Sequence, residues 1–121
     1  GYGFDHNVRI LRYADVLLMY AEAVARGAAE YAKANMNAQS AFDWVRDRAG
    51  LDPVGLSVDA VLDERRAELA LEEDRFPDLV RTGKAASVLA SSGFKAGKHE
   101  LFPIPAQQRQ LNSNLSQNNG Y

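Results

Sequence analysis

The sequence predicts an all-α fold of antiparallel helical hairpins, and three observations carry that expectation. Apolar residues recur at helical spacing through Leu11–Arg26, Ala38–Ala49 and the stretch that opens near Val58. Capping residues fall where those patterns start or stop: Ser57 before the third, Gly50 after the second, Gly83 after the last turn. No stretch alternates convincingly as a strand would, and short connections between successive helices make neighbours antiparallel.

With 121 residues the chain is long enough for one domain with a real core, so a single domain over 1–121 is expected. Hydrophobic residues at 46% and charged residues at 25% argue against both disorder and a membrane protein. The 14 Lys+Arg and 16 Asp+Glu are interspersed and nearly cancel, leaving no electrostatic footprint for nucleic acid or anionic lipid. The absence of cysteine excludes disulfides, thiolate zinc sites and cysteine nucleophiles. The longest apolar run, around Val16–Ala25, is broken by Glu22 and falls short of the roughly 18 residues that a spanning helix needs. The chain starts at Gly1-Tyr2-Gly3 without an initiator Met, signal peptide or lipidation signal, which reads as an excised piece or a processed product with any address label upstream.

Gly1–Asn7 reads as an irregular lead-in carrying Tyr2 and Phe4. In the first helix Arg12, Asp15, Met19, Glu22 and Arg26 form one stripe, and the rest is apolar. A helix apolar around most of its circumference is expected to be buried between neighbours. Glu22 and Arg26 are ordered for an i,i+4 pair, and Ala14, Ala21, Ala23 and Ala25 would let another helix approach closely. Gly27–Asn37 is a connection. The second helix has Ala38, Ala41, Phe42, Val45 and Ala49 as its core stripe, with Leu51 expected to make the hydrophobic contact that follows a Gly50 cap. Trp44 lies on the flank of that stripe, as the edge of the core, a partner-facing residue or a sugar platform.

The third helix puts Val58, Val61, Leu62, Arg65, Leu69, Glu72 and Phe76 on one face, with two charges inside an apolar seam. Burying an unpaired charge is costly, so Arg65, Glu68, Glu72 and Arg75 are expected to form an internal charge network that fixes helix packing. Arg65→Ala should then cost stability by leaving Glu72 without its partner. Pro77 forces a break near Asp74–Pro77 and a fresh turn to Arg81. Lys84–Ala90 makes a further short helix, and Ser91–Gly97 a loop. Leu101-Phe102-Pro103-Ile104-Pro105 is extended by its prolines and, being apolar, is expected to lie against the body. Ala106–Leu111 makes one helical turn. Asn112–Tyr121, with four asparagines, is too polar to pack alone, leaving Tyr121 as its anchor.

Catalytic chemistry is not signalled. His6 and His99 have no second ligand at metal spacing, the serines sit in caps and loops, and the glycines lack a phosphate-loop context. Glu72, Glu73 and Asp74 are a dense acidic cluster, but adjacent helical residues point apart, so they read as a solvated or salt-bridged face and not a glycosidic pair. No catalytic residue, metal or cofactor is expected.

Three blocks in order, LRYADVLLMYAEA (Leu11–Ala23), ERRAELALEEDRFPDLVRTG (Glu64–Gly83) and LFPIPAQQRQLNSNLSQNNGY (Leu101–Tyr121), resemble the C-terminal part of SusD/RagB outer-membrane lipoproteins, and VRDRAGL (Val45–Leu51) is similar as well. Asn119 stands where a proline is usual before the closing Gly-Tyr, Gln108 where a Glu is common, and Ser113 where a proline is expected. The resemblance implies tetratricopeptide-like helix pairs, although the 34-residue repeat consensus is not met along this chain. It implies a noncatalytic, surface-exposed, lipid-anchored subunit that binds oligosaccharide and caps a SusC-like TonB-dependent transporter. The lipid anchor would lie outside this sequence. The matched blocks read as scaffold, and no sugar-contacting residue carries over, so Trp44 is a candidate only as an aromatic. A helical module that binds protein is the alternative, and a homo-oligomer or a rearrangement is expected if the fragment stands alone, because its widely apolar first helix would have lost neighbours.

Overall fold

The computed structural model describes residues 10–121, and the lead-in with Tyr2, Phe4 and His6 lies outside the described residues. In order come α1 (Tyr13–Ala25), α2 (Ala38–Arg48), α3 (Val58–Glu68), α4 (Arg75–Arg81), α5 (Ala85–Val88), a 3-10 turn (Ala90–Ser92) and α6 (Ala106–Leu111). No strand occurs among the described residues, so the class is all-α. The chain forms two compact units, 1–75 and 76–121, each described by itself.

In the first unit α1 packs on both α2 and α3. Leu17, Leu18 and Ala21 of α1 meet Ala41, Phe42 and Val45 of α2 and Val61 of α3 in one buried cluster. Phe42 and Leu18 are wholly enclosed, each contributing roughly 1.5–3 kcal/mol by leaving water. Ala21, Ala38 and Ala41 are also fully buried, which lets the α1 and α2 backbones approach closely. The caps follow local chemistry. Asn37 Oδ1 accepts the Ser40 N–H at 2.8 Å at the start of α2, and Ser57 Oγ accepts the Ala60 N–H at 3.1 Å at the start of α3. At the end of α2, Gly50 takes φ 71°, and the N–H groups of Gly50 and Leu51 return to Asp47 and Arg46 carbonyls at 2.9 and 3.0 Å. Leu51 itself is 46% exposed and does not seal that cap as expected.

Two further expectations change here. α1 is not buried all round: Asp15 and Glu22 of its polar stripe are buried along with Leu17, Leu18 and Ala21, whereas Tyr13, Val16 and Met19 are exposed. The stripe turns inward because cations meet it, with Arg26 Nε 2.7 Å from Glu22 and Arg65 beside Asp15. The seam helix also stops at Glu68, short of the expected break near Asp74–Pro77. Leu71 and Glu73 adopt left-handed φ of 67° and 69°, a conformation no helix continues through. Pro77 then sits in the first turn of α4, where its missing N–H breaks no intrahelical bond.

In the second unit α4 ends as Gly83 predicted: Gly83 has φ 70°, and its N–H donates to the Val80 carbonyl at 3.1 Å. Phe94 stacks between Phe76 and His99, with ring centroids 6.3 and 5.7 Å away. The Leu101–Pro105 segment is extended but not covered as expected: Leu101 and Phe102 are exposed, and only Ile104 is half-buried. Its prolines leave it no ladder, so its backbone groups are met by the tail. Gln117 bonds both the N–H and the carbonyl of Ile104, at 2.7 and 3.0 Å, while Asn118 Nδ2 and Tyr121 Oη donate to the Phe102 and Leu101 carbonyls. Lys98 Nζ lies 4.5 Å from the Tyr121 ring centroid, so Tyr121 does anchor the tail. A polar tail thus orders by hydrogen bonding where apolar packing was unavailable to it.

Candidate functional site

The first unit carries an open groove of about 440 Å³ between one end of α1 and the adjacent face of α2. Helical spacing builds its walls, since Tyr13 and Leu17 share a face of α1, and Trp44 and Arg48 share a face of α2. Leu17 and Val45, both buried, form the floor, and Tyr13 and Trp44, exposed at 61% and 57%, stand on the sides. Arg12 and Arg48 complete the rim. Trp44, flanking the core stripe in sequence, therefore sits beside buried Val45 and opens to the groove.

Behind the rim lies an ion network that joins all three helices. Arg12, the residue before α1, donates from Nε to both Glu72 carboxylate oxygens at 3.0 and 2.7 Å and from Nη1 to Glu68 at 2.6 Å. Its Nη2 also bonds the Glu68 backbone carbonyl. Glu68 in turn receives Arg48 Nη2 at 2.5 Å, and Arg46 Nη1 reaches buried Glu64 at 2.5 Å. Bonding to Glu72, then Glu68, holds the Arg12 guanidinium more firmly protonated than usual despite an opposing desolvation. Desolvation pushes Glu68 up, but hydrogen bonds and charge from Arg12 and Arg48 outweigh it and bring its carboxyl below the ordinary glutamate value.

Of the residues singled out from the sequence, Glu68 and Glu72 do come together, on Arg12. Arg65 does not depend on Glu72 as expected: its Nη1 lies 2.5 Å from Asp15 Oδ1, with both side chains largely buried. The reason is the early end of α3, which takes Glu72 off the Arg65 face. Arg75 opens α4, half-buried. Sequence reasoning missed Arg12, Asp15, Arg46 and Arg48 as partners. The available signal was the polar stripe of α1, whose Arg12 and Asp15 are opposite in charge to the Glu68 and Arg65 of α3 that they meet. Among the described residues no three His, Asp or Glu side chains cluster as metal ligands, and no helix is long and apolar enough to cross a membrane.

Fold and groove together define an all-α helix-pair module, locked by ion pairs, that offers a recess with aromatic sides. The chain belongs to the SusD family, whose SusD_RagB model matches residues 1–121. It is 32% identical to SusD-like protein P2 of Formosa agariphila, over 92% of this chain and 25% of that protein. Similarity to SusD-like protein P38 of the same organism is 30%, over 97% and 25%. Among solved structures, a laminarin binding SusD-like protein superposes with a TM-score of 0.80 and 47% identity, over 94% of this chain and 23% of that one. Surface glycan-binding protein A from Bacteroides thetaiotaomicron, also solved in complex with laminarihexaose, superposes with a TM-score of 0.83 and 34% identity, over 97% and 26%. The chain thus spans about a quarter of the length of these relatives.

Proposed function

We propose that this chain is the C-terminal portion of a noncatalytic glycan-binding subunit of an outer-membrane uptake system, and that it contributes mainly scaffold. The observation that carries the reading is the 47% identity, across 94% of this chain, to a laminarin binding SusD-like protein. The ion-locked packing of α1, α2 and α3 supports the scaffold role, because it fixes one geometry on which binding surfaces can be held. In this reading the longer protein is a surface-exposed lipoprotein, held by an anchor outside this sequence. It passes oligosaccharide to a SusC-like TonB-dependent transporter without cleaving it.

The exposed apolar face of α1, with Tyr13, Val16 and Met19, favours a second reading as a protein-binding helical module. Affinity electrophoresis separates the two. The longer protein that carries this chain is run through native gels containing laminarin, starch or a plant hemicellulose, with the polysaccharide then assayed for new reducing ends. Retardation by at least one polysaccharide, without new reducing ends, is expected. Unretarded migration in every gel would move the assignment to the protein-binding module, and new reducing ends would make the protein an enzyme.

A further inference from the structure

We propose that the groove between α1 and α2 is a subsite for a neutral oligosaccharide, stacked on Trp44 and Tyr13, and that it discriminates against uronic or sulfated glycans. The inference rests on the glycan-binding reading and adds a place and a substrate class to it. Three features of the groove carry it. Its volume of about 440 Å³ lies in the roughly 300–1,000 Å³ range of small-ligand sites, whereas protein partners usually meet flatter surfaces. Its sides are two exposed aromatic rings over a floor of Leu17 and Val45, an arrangement that suits the C–H face of a pyranose.

The third feature is charge. The rim has two guanidinium groups, but Arg12 commits Nε, Nη1 and Nη2 to Glu72 and Glu68, and Arg48 gives Nη2 to Glu68. Two cations face two carboxylates, so no net positive charge is left to attract an anion. A uronate or sulfate would be desolvated beside the Glu68 and Glu72 carboxylates with no surplus positive charge to offset that cost. A neutral sugar incurs no such cost. Arg48, with its side chain 64% exposed, has N–H groups besides the Nη2 bond to Glu68 to offer to hydroxyls. A second open depression, around Glu30, Tyr31, Asn37 and Ser40, is less suited. Its Glu30 carboxylate is occupied by the Ala38 N–H and the Tyr20 hydroxyl, and Asn37 Oδ1 by the Ser40 N–H.

Trp44 is the sole tryptophan of the chain, so its fluorescence reports on this groove alone. Laminarihexaose, maltohexaose and a galacturonic acid hexamer are titrated into the 121-residue chain, following fluorescence and calorimetric heat in parallel. At least one neutral hexasaccharide should give a saturable fluorescence change with the same midpoint as its heat, and the galacturonate should give neither. Trp44→Ala should weaken the calorimetric affinity about tenfold or more, with Trp44→Phe, which keeps a ring, within about threefold of wild type. Heat that leaves fluorescence unchanged and survives Trp44→Ala would place the sugar elsewhere, overturning the groove assignment but not the glycan-binding function. Equal binding of the galacturonate would overturn the neutral specificity. A fluorescence change on protein concentration alone would make the groove an interface between copies, and absence of heat with every glycan would end the groove proposal while leaving the glycan-binding reading to the longer protein.

Discussion

Arg65→Ala should be the most destabilising single change in the ion network, because it strands the Asp15 carboxylate inside the helix trio. Arg65 Nη1 sits 2.5 Å from Asp15 Oδ1, and the two side chains are only 5% and 12% exposed. Removing one partner of such a pair costs about 3–5 kcal/mol, much of it the desolvation of the charge left behind. With a urea dependence of about 2 kcal/mol/M, the unfolding midpoint should fall by roughly 1.5–2.5 M. The natural assay is urea titration followed by Trp44 fluorescence, which reports on α2 in the same unit. Asp15→Leu combined with Arg65→Met, which replaces both charges by apolar groups, should recover most of the loss. A cost below about 1 kcal/mol for Arg65→Ala, or a double variant as unstable as the sum of its singles, would refute the reasoning.

Glu68 makes stability depend on acid. Its folded carboxyl lies below the ordinary value of 4.5, so its contribution is present above about pH 4.5 and disappears as pH falls through the lower folded value. Glu68→Gln should therefore flatten that part of the stability-against-pH curve and cost about 1–3 kcal/mol at pH 7; an unchanged acid profile in urea titrations at several pH values would contradict it. In the second unit, Gln117→Ala should speed hydrogen exchange at the Ile104 amide, which donates to Gln117 Oε1 at 2.7 Å, with little effect on the first unit. Equal protection of Ile104 in the variant would argue against the tail holding the extended segment.

What was legible in the sequence was local. Ser57, Gly50 and Gly83 act through groups a few residues away, so the starts and stops they set appear where the residues stand. Phe42, Val45 and Val61 likewise reached the core through helical periodicity alone. The end of α3 was not legible, because Leu71 and Glu73 take a left-handed turn without the Gly or Asn that would announce it. Nor was the pairing of Arg65 with Asp15, which spans 50 positions and depends on how α1 is rotated against α3. That rotation keeps Leu17, Leu18 and Ala21 in the core as expected but also turns Asp15 and Glu22 inward and leaves Tyr13 open. The groove inherits this: Trp44 was visible as an aromatic off the core stripe, but its opposite wall depended on α1 presenting Tyr13 beside it.

Noncatalytic glycan binding is tested by calorimetric titration of the longer protein that carries this chain with laminarihexaose, the ligand recovered afterwards and sized. Saturable heat and a hexasaccharide returned intact are expected. Heat accompanied by shortened products, or no heat with laminarihexaose or any other glycan tried, would contradict it.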